Sequence, residues 1–105
     1  GDVASDASTT VSQTTMPLNF GVDEEDRIPY LYLVREQGTT PRTLPLYYHD
    51  LANPNAIIRY WVDGEAFTPT DNTITFASKG EHTLRIEIEE TATRKWEIQY
   101  KLNVD

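Results

Sequence analysis

The chain has 105 residues, room for one domain and hardly two. Its apolar content of 38% supports a modest core, and no apolar run reaches the roughly 18 residues that a membrane-spanning helix needs. Seventeen acidic against nine basic residues give a net charge of -8, which disfavours nucleic acid or an anionic membrane face as partner, and the lack of cysteine removes disulfides, thiolate catalysis and Cys-based zinc sites.

Residues 1–15 contain seven Ser or Thr, with Val3 and Val11 as the only sizeable apolar side chains. So little apolar surface does not offset the entropy of ordering, and the segment reads as a flexible leader ahead of a domain over 16–105. A short strand is expected around Leu18 to Val22. The acidic run Asp23-Glu24-Glu25-Asp26 follows. Ile28 to Val34 is nearly continuous in apolar residues, as in a strand covered on both faces or near a second contact. Leu44, Leu46 and Tyr48 alternate in a further strand, which Pro45 pushes towards a sheet edge. Asp50 to Asn55 is a turn cluster with room for one helical turn at Asp50-Leu51-Ala52.

The second half is clearer. Ala56 to Val62 is apolar and β-branched and is closed by Asp63-Gly64. Thr73 to Ala77 carries Ile74 and Phe76, then the turn Ser78-Lys79-Gly80. Leu84, Ile86 and Ile88 alternate with charged residues. So do Trp96, Ile98, Tyr100, Leu102 and Val104 in the last strand, Lys95 to Val104. Residues 90–94 form a polar connector of hairpin length. Both apolar sets are even-numbered, so only registers that oppose even to even keep one face buried. The preferred one sets Ile88 opposite Trp96, Ile86 opposite Ile98 and Glu89 opposite Lys95, at the expense of Glu87 opposite Glu97. A shift by two opposes Glu89 to Glu97 and Arg85 to Lys101, two like-charge pairs. Strand signals separated by turns, with no helical window, indicate an all-β antiparallel sandwich of about seven strands.

This second half, from about residue 42, resembles the polycystic-kidney-disease (PKD) and related bacterial immunoglobulin-like modules. The residues that carry the likeness are Ile58 to Gly64, Ile74-Thr75-Phe76, Lys79 to Ile86 and the closing alternating strand. Tyr60, not Trp61, stands where the buried aromatic is expected. The likeness implies an immunoglobulin-like β-sandwich. Residues 16–41 fall outside the pattern and either complete the first sheet or cap the sandwich. The Ser/Thr-rich leader before a small acidic domain also resembles surface lipoproteins of Bacteroidetes-type gut bacteria. That likeness implies a secreted or outer-surface protein, attached to a membrane only through an N-terminal lipid anchor since removed.

The chemistry-bearing residues mostly read as structural. The acidic run 23–26 lacks the spacing of a calcium loop and reads as a solvated loop. Asp50, Asn53 and Asn55 are turn formers. His49 and His82, the only histidines, lack the spacing of a zinc site. Glu87 and Glu89 project from one strand face roughly 7 Å apart, a glycosidase-like spacing, but on an exposed hairpin with nothing to exclude water. A Ser–His–Asp triad would have to use Ser78, in a turn, or a serine of the leader. No catalytic, metal or cofactor-binding set is therefore assigned, and no cofactor is expected. Tyr60, Phe76, Trp96 and Tyr100 fall on core faces. Trp61 shares the opposite face with Ile57 and Arg59, and Tyr47 points away from Tyr48. Trp61, Arg59 and Tyr47 are thus the candidate ligand-binding residues. The expected function is a non-catalytic recognition or spacer module, meeting a protein or glycan at the cell surface. The alternatives are a carbohydrate-binding module with an exposed aromatic face and a structural subunit that assembles through sheet edges.

Overall fold

A computed structural model describes residues 14–49 and 53–105. Among them are eight strands: β1 (Leu18–Val22), β2 (Pro29–Tyr32), β3 (Thr43–His49), β4 (Ile57–Val62), β5 (Glu65–Phe67), β6 (Thr73–Thr75), β7 (Gly80–Thr91) and β8 (Arg94–Val104). They form two four-stranded sheets, ordered β2-β1-β3-β6 and β5-β4-β7-β8. The even-numbered apolar residues face inward. Leu18, Phe20, Val22, Leu44, Leu46 and Ile74 of the first sheet share one core with Leu84, Ile86, Ile88, Leu102 and Val104 of the second. Phe20 ties the layers together, its ring 5.7 Å from that of Tyr48 and edge-on to Tyr60 at 6.2 Å. Burial pushes the Tyr60 hydroxyl up to about 12.

The eighth strand comes from the Asp63-Gly64 turn. Both residues have positive φ, 52° and 84°, the type I′ geometry that folds a strand back on itself, so β5 pairs with β4. The ladders are also not all antiparallel, because β1 and β3 run parallel with Asn19 opposite Tyr47. β2 carries the chain back to the end where β1 begins. The connector 33–42 then crosses only that end to lay β3 along β1's other side.

Pro45 does not place β3 at an edge, since β3 lies between β1 and β6. The Thr43 amide points to the Thr14 carbonyl on the β1 side and the Leu46 amide to Asn72 on the β6 side. By alternation the Pro45 nitrogen faces the β1 side, one residue before that ladder begins at Leu46, so no ladder bond is lost. The stretch Ile28 to Val34 holds the edge strand β2 and is not covered on both faces. Leu31 and Leu33 pack on the core, while Ile28 and Val34 are 58% and 80% exposed.

Residues 16–41 complete the first sheet, supplying β1 and β2. The last residues of the expected leader join the domain. The Thr14 carbonyl accepts from the Arg42 and Thr43 amides, and Thr15 bridges Thr43. The rest of the leader and the helical turn expected at 50–52 lie outside the described residues. The β7–β8 register is the one preferred above, with Glu89 opposite Lys95 and Ile88 opposite Trp96. Its connector is shorter, because Thr91 pairs with Arg94 and Glu90 becomes a bulge.

Candidate functional site

The outer face of the first sheet carries a groove of about 820 Å³. Residues paired across strands share a face. One row therefore reads Tyr32, Asn19, Tyr47 and the next Tyr30, Gly21, His49. Gly21 sits at the middle of the second row. A Cβ there would come within 1.8 Å of the His49 carbonyl oxygen and 3.1 Å of the Tyr30 hydroxyl. Only glycine lets β1 and β3 close and Tyr30 reach over them. Tyr30, Tyr32, Asn19 and His49 line the groove, and Asp23, Glu24 and Glu25 rim it.

The Tyr30 and Tyr32 rings are 6.2 Å apart and tilted by 19°. A flat group inserted between them would need about 7 Å, twice the carbon contact distance. The pair is thus a double wall, which a ligand would meet from outside at the exposed Tyr32 ring. His49 Nε2 donates to Asn19 Oδ1 at 2.8 Å, which holds both polar side chains upright at the wall's foot. In the rim, the Asp23 carboxylate accepts from the Glu25 and Asp26 amides at 2.8 and 2.9 Å and so shapes the turn. That leaves Glu24 and Glu25 as exposed carboxylates beside the aromatic wall.

The three residues singled out from the sequence are not brought together. Tyr47 lies on the outer face of the first sheet, 49% exposed. Arg59 and Trp61 lie on the outer face of the second. There Arg59 Nη1 bonds both Glu87 (2.9 Å) and Glu89 (2.8 Å), so the two carboxylates share a cation. The Arg59 bond, with Lys95 nearby, holds Glu89 below the usual carboxylate range, the reverse of what an acid catalyst needs. Trp61 lies opposite Arg85, whose guanidinium carbon stacks 3.8 Å from the ring centre. One face of the indole is therefore already covered.

Ser78, His82 and Asp63 do meet, at one end of the second sheet. His82 Nδ1 contacts Asp63 Oδ2 at 2.6 Å, and Nε2 lies 2.8 Å from the Ser78 carbonyl and 3.3 Å from Ser78 Oγ. Both nitrogens thus face acceptors, as in an imidazolium. A ring that donates from Nε2 to a carbonyl has no lone pair there to take a serine proton. The Asp63 bond, then the Ser78 bond, raises the His82 pKa, and the His82 and Thr83 bonds lower that of Asp63. The geometry is that of a charge-assisted clamp between the 63–64 turn and the 78–80 turn.

Sequence reasoning missed Glu90. The residue was assigned to a polar connector, but it continues the inward series Leu84, Ile86, Ile88, and its parity was the available signal. Its side chain has no solvent exposure. It accepts from Arg27 Nη2 at 2.7 and 2.5 Å, from Asn53 Nδ2 at 2.5 Å and from Trp96 Nε1 at 2.5 Å. Arg27 reaches it from the far end of the acidic turn, at φ 53°. Glu90 therefore braces the rim of the groove from inside. Among the described residues no group of three or more His, Asp or Glu is placed to hold a metal. Compared with family models, curated proteins and solved structures, the chain matches none.

Proposed function

We propose that this is a non-catalytic recognition module of immunoglobulin-like, PKD-like type. It belongs to a secreted or surface-tethered bacterial protein, and it grips a basic segment of a partner protein in the tyrosine groove. The observation that carries this reading is the groove itself, two tyrosine rings standing beside exposed carboxylates on the outer face of a sheet. Tyrosine faces attract Lys and Arg cations, and the carboxylates add charge complementarity and a faster encounter. A net charge of -8 favours the same partner and disfavours nucleic acid.

The absence of catalysis is part of the proposal. Both ring nitrogens of His82 face acceptors, and Glu87 and Glu89 are shared by Arg59. A protein partner is preferred to a glycan because Arg85 takes one face of Trp61, the side chain best suited to a sugar ring. The lipid-anchored location rests on the Ser/Thr-rich leader, and the immunoglobulin-like type on two facing four-stranded sheets together with the motif likeness of the second half.

The test is calorimetric titration of the full chain with an Arg/Lys-rich peptide and with neutral oligosaccharides. The peptide should bind, more weakly as salt rises. Tyr32→Ala should weaken it by about tenfold or more without lowering the melting temperature, since Tyr32 is 53% exposed. Binding of an oligosaccharide in place of the peptide would move the function to carbohydrate recognition. Peptide binding unaffected by Tyr32→Ala would remove the groove from the account.

A further inference from the structure

Each sheet ends in two edge strands, and they are unequal. β2 has four residues and β5 and β6 have three each, whereas β8 has eleven. At about 3.4 Å per residue β8 is roughly 37 Å long. Edge strands are usually guarded by proline, bulges or inward charges. β8 has none of these, and its only edge charges between Lys95 and Val104 are the outward Lys95, Glu97 and Lys101. Its inward residues are Trp96, Ile98, Tyr100, Leu102 and Val104, and its ladder with β7 is regular from Lys95 to Val104.

The free backbone groups can be assigned. The Asp63 amide donates to the Thr83 carbonyl, so the odd residues of β7 point their backbone to β4 and the even ones to β8. The even residues of β8 answer them. The N–H and C=O groups of Lys95, Glu97, Gln99, Lys101 and Asn103 therefore point out of the sheet edge. Among the described residues no backbone bond joins them to β2, the strand of the other sheet nearest β8.

We infer that β8 pairs antiparallel with β8 of a second copy of this chain, on a two-fold axis at Gln99. The outward order Lys95, Glu97, Gln99, Lys101, Asn103 is self-complementary about that point. Glu97 then faces Lys101 of the second copy, and Lys101 faces its Glu97. Lys95 faces Asn103 in both directions. Moving the register by two residues one way opposes Lys95 to Lys101, and the other way leaves no opposite-charge pair within β8 and only Lys95 against Asp105 beyond its end. On the inner face the same register sets Ile98 against Tyr100 and Trp96 against Leu102. Trp96, Ile98 and Tyr100 are only partly buried in the single chain, so pairing covers apolar surface there. The two sheets would join into one of eight strands, with the tyrosine grooves on the outward faces of the two first sheets.

The test is sedimentation velocity of the full chain from micromolar to near-millimolar concentration. A concentration-dependent dimer is expected. Gln99→Pro removes an outward N–H that the single chain does not use, so it should abolish the dimer while leaving the circular dichroism spectrum and the melting of the monomer intact. Glu97→Lys should weaken the dimer by about tenfold, and adding Lys101→Glu should restore it. Because the chain has no cysteine, Gln99→Cys gives a clean check of register. Opposed Cα atoms in a hydrogen-bonded pair lie about 5.5 Å apart, within disulfide range, so this variant should oxidise to a covalent dimer and Lys95→Cys should not. A monomer throughout the concentration range would overturn the inference. So would a dimer that survives Gln99→Pro, or a charge swap that fails to restore the Glu97→Lys loss.

Discussion

Removing the Glu90 carboxylate tests how the two sheets are braced. The side chain is fully enclosed and collects donors from Arg27, Asn53 and Trp96. These belong to the β1–β2 turn, the approach to β4, and β8. Glu90→Ala removes the acceptor that these three donors share. Breaking a buried ion pair from one side costs about 3–5 kcal/mol. Arg27 is 30% exposed and can turn partly to water, which places the loss near the lower end, about 3 kcal/mol. At about 4–8 °C per kcal/mol for a domain of this size, the melting temperature should fall by about 12–24 °C. Urea unfolding followed by circular dichroism and tryptophan emission measures the loss. Trp96 emission should also move to the red, because its indole N–H loses its acceptor. Arg27→Met combined with Glu90→Ala should cost clearly less than the two single changes added together. A loss under about 1 kcal/mol for Glu90→Ala, or strict additivity in the cycle, would refute the bracing role.

Two further expectations follow from the second sheet. The His82–Asp63 clamp makes stability depend on pH. The His82 pKa is raised above its ordinary 6.5, so its contribution is complete below that pH and drains away as pH rises through the raised value. The Asp63 pKa is lowered below 3.8, so its contribution is complete above that pH and is lost as pH falls through the lowered value. The difference in melting temperature between wild type and His82→Gln should therefore be largest between about pH 4 and 6.5, and a difference that stays flat from acid to alkaline pH would contradict the clamp. In a Trp96→Phe background, Arg85→Ala should make Trp61 more open to acrylamide and cost about 1 kcal/mol of stability; unchanged quenching would mean that the guanidinium does not shield the ring.

Much of the architecture was legible along the chain because a strand's face is set by its neighbours two residues away. The alternation of Trp96, Ile98, Tyr100, Leu102 and Val104 required a strand with one apolar side. Parity with Leu84, Ile86 and Ile88, and the charge of Glu89 against Lys95, selected the β7–β8 register. The Asp-Gly pair at 63–64 marked a turn, although its power to start a new strand depended on both residues taking positive φ.

Only the tertiary structure decided which strands lie side by side, and the candidate sites depend on that. The parallel pairing of β1 with β3 gathers Asn19, Tyr30, Tyr32 and His49 onto one face, while Trp61 and Arg59 fall on the other sheet. Glu90 reads as a loop residue until Arg27 and Asn53, 63 and 37 positions away, close over it. Alternation and turn chemistry act over a few residues and so determine elements and faces. Adjacency across the sheets comes from burying all the apolar faces in one core at once, a condition on the whole chain that no local pattern contains.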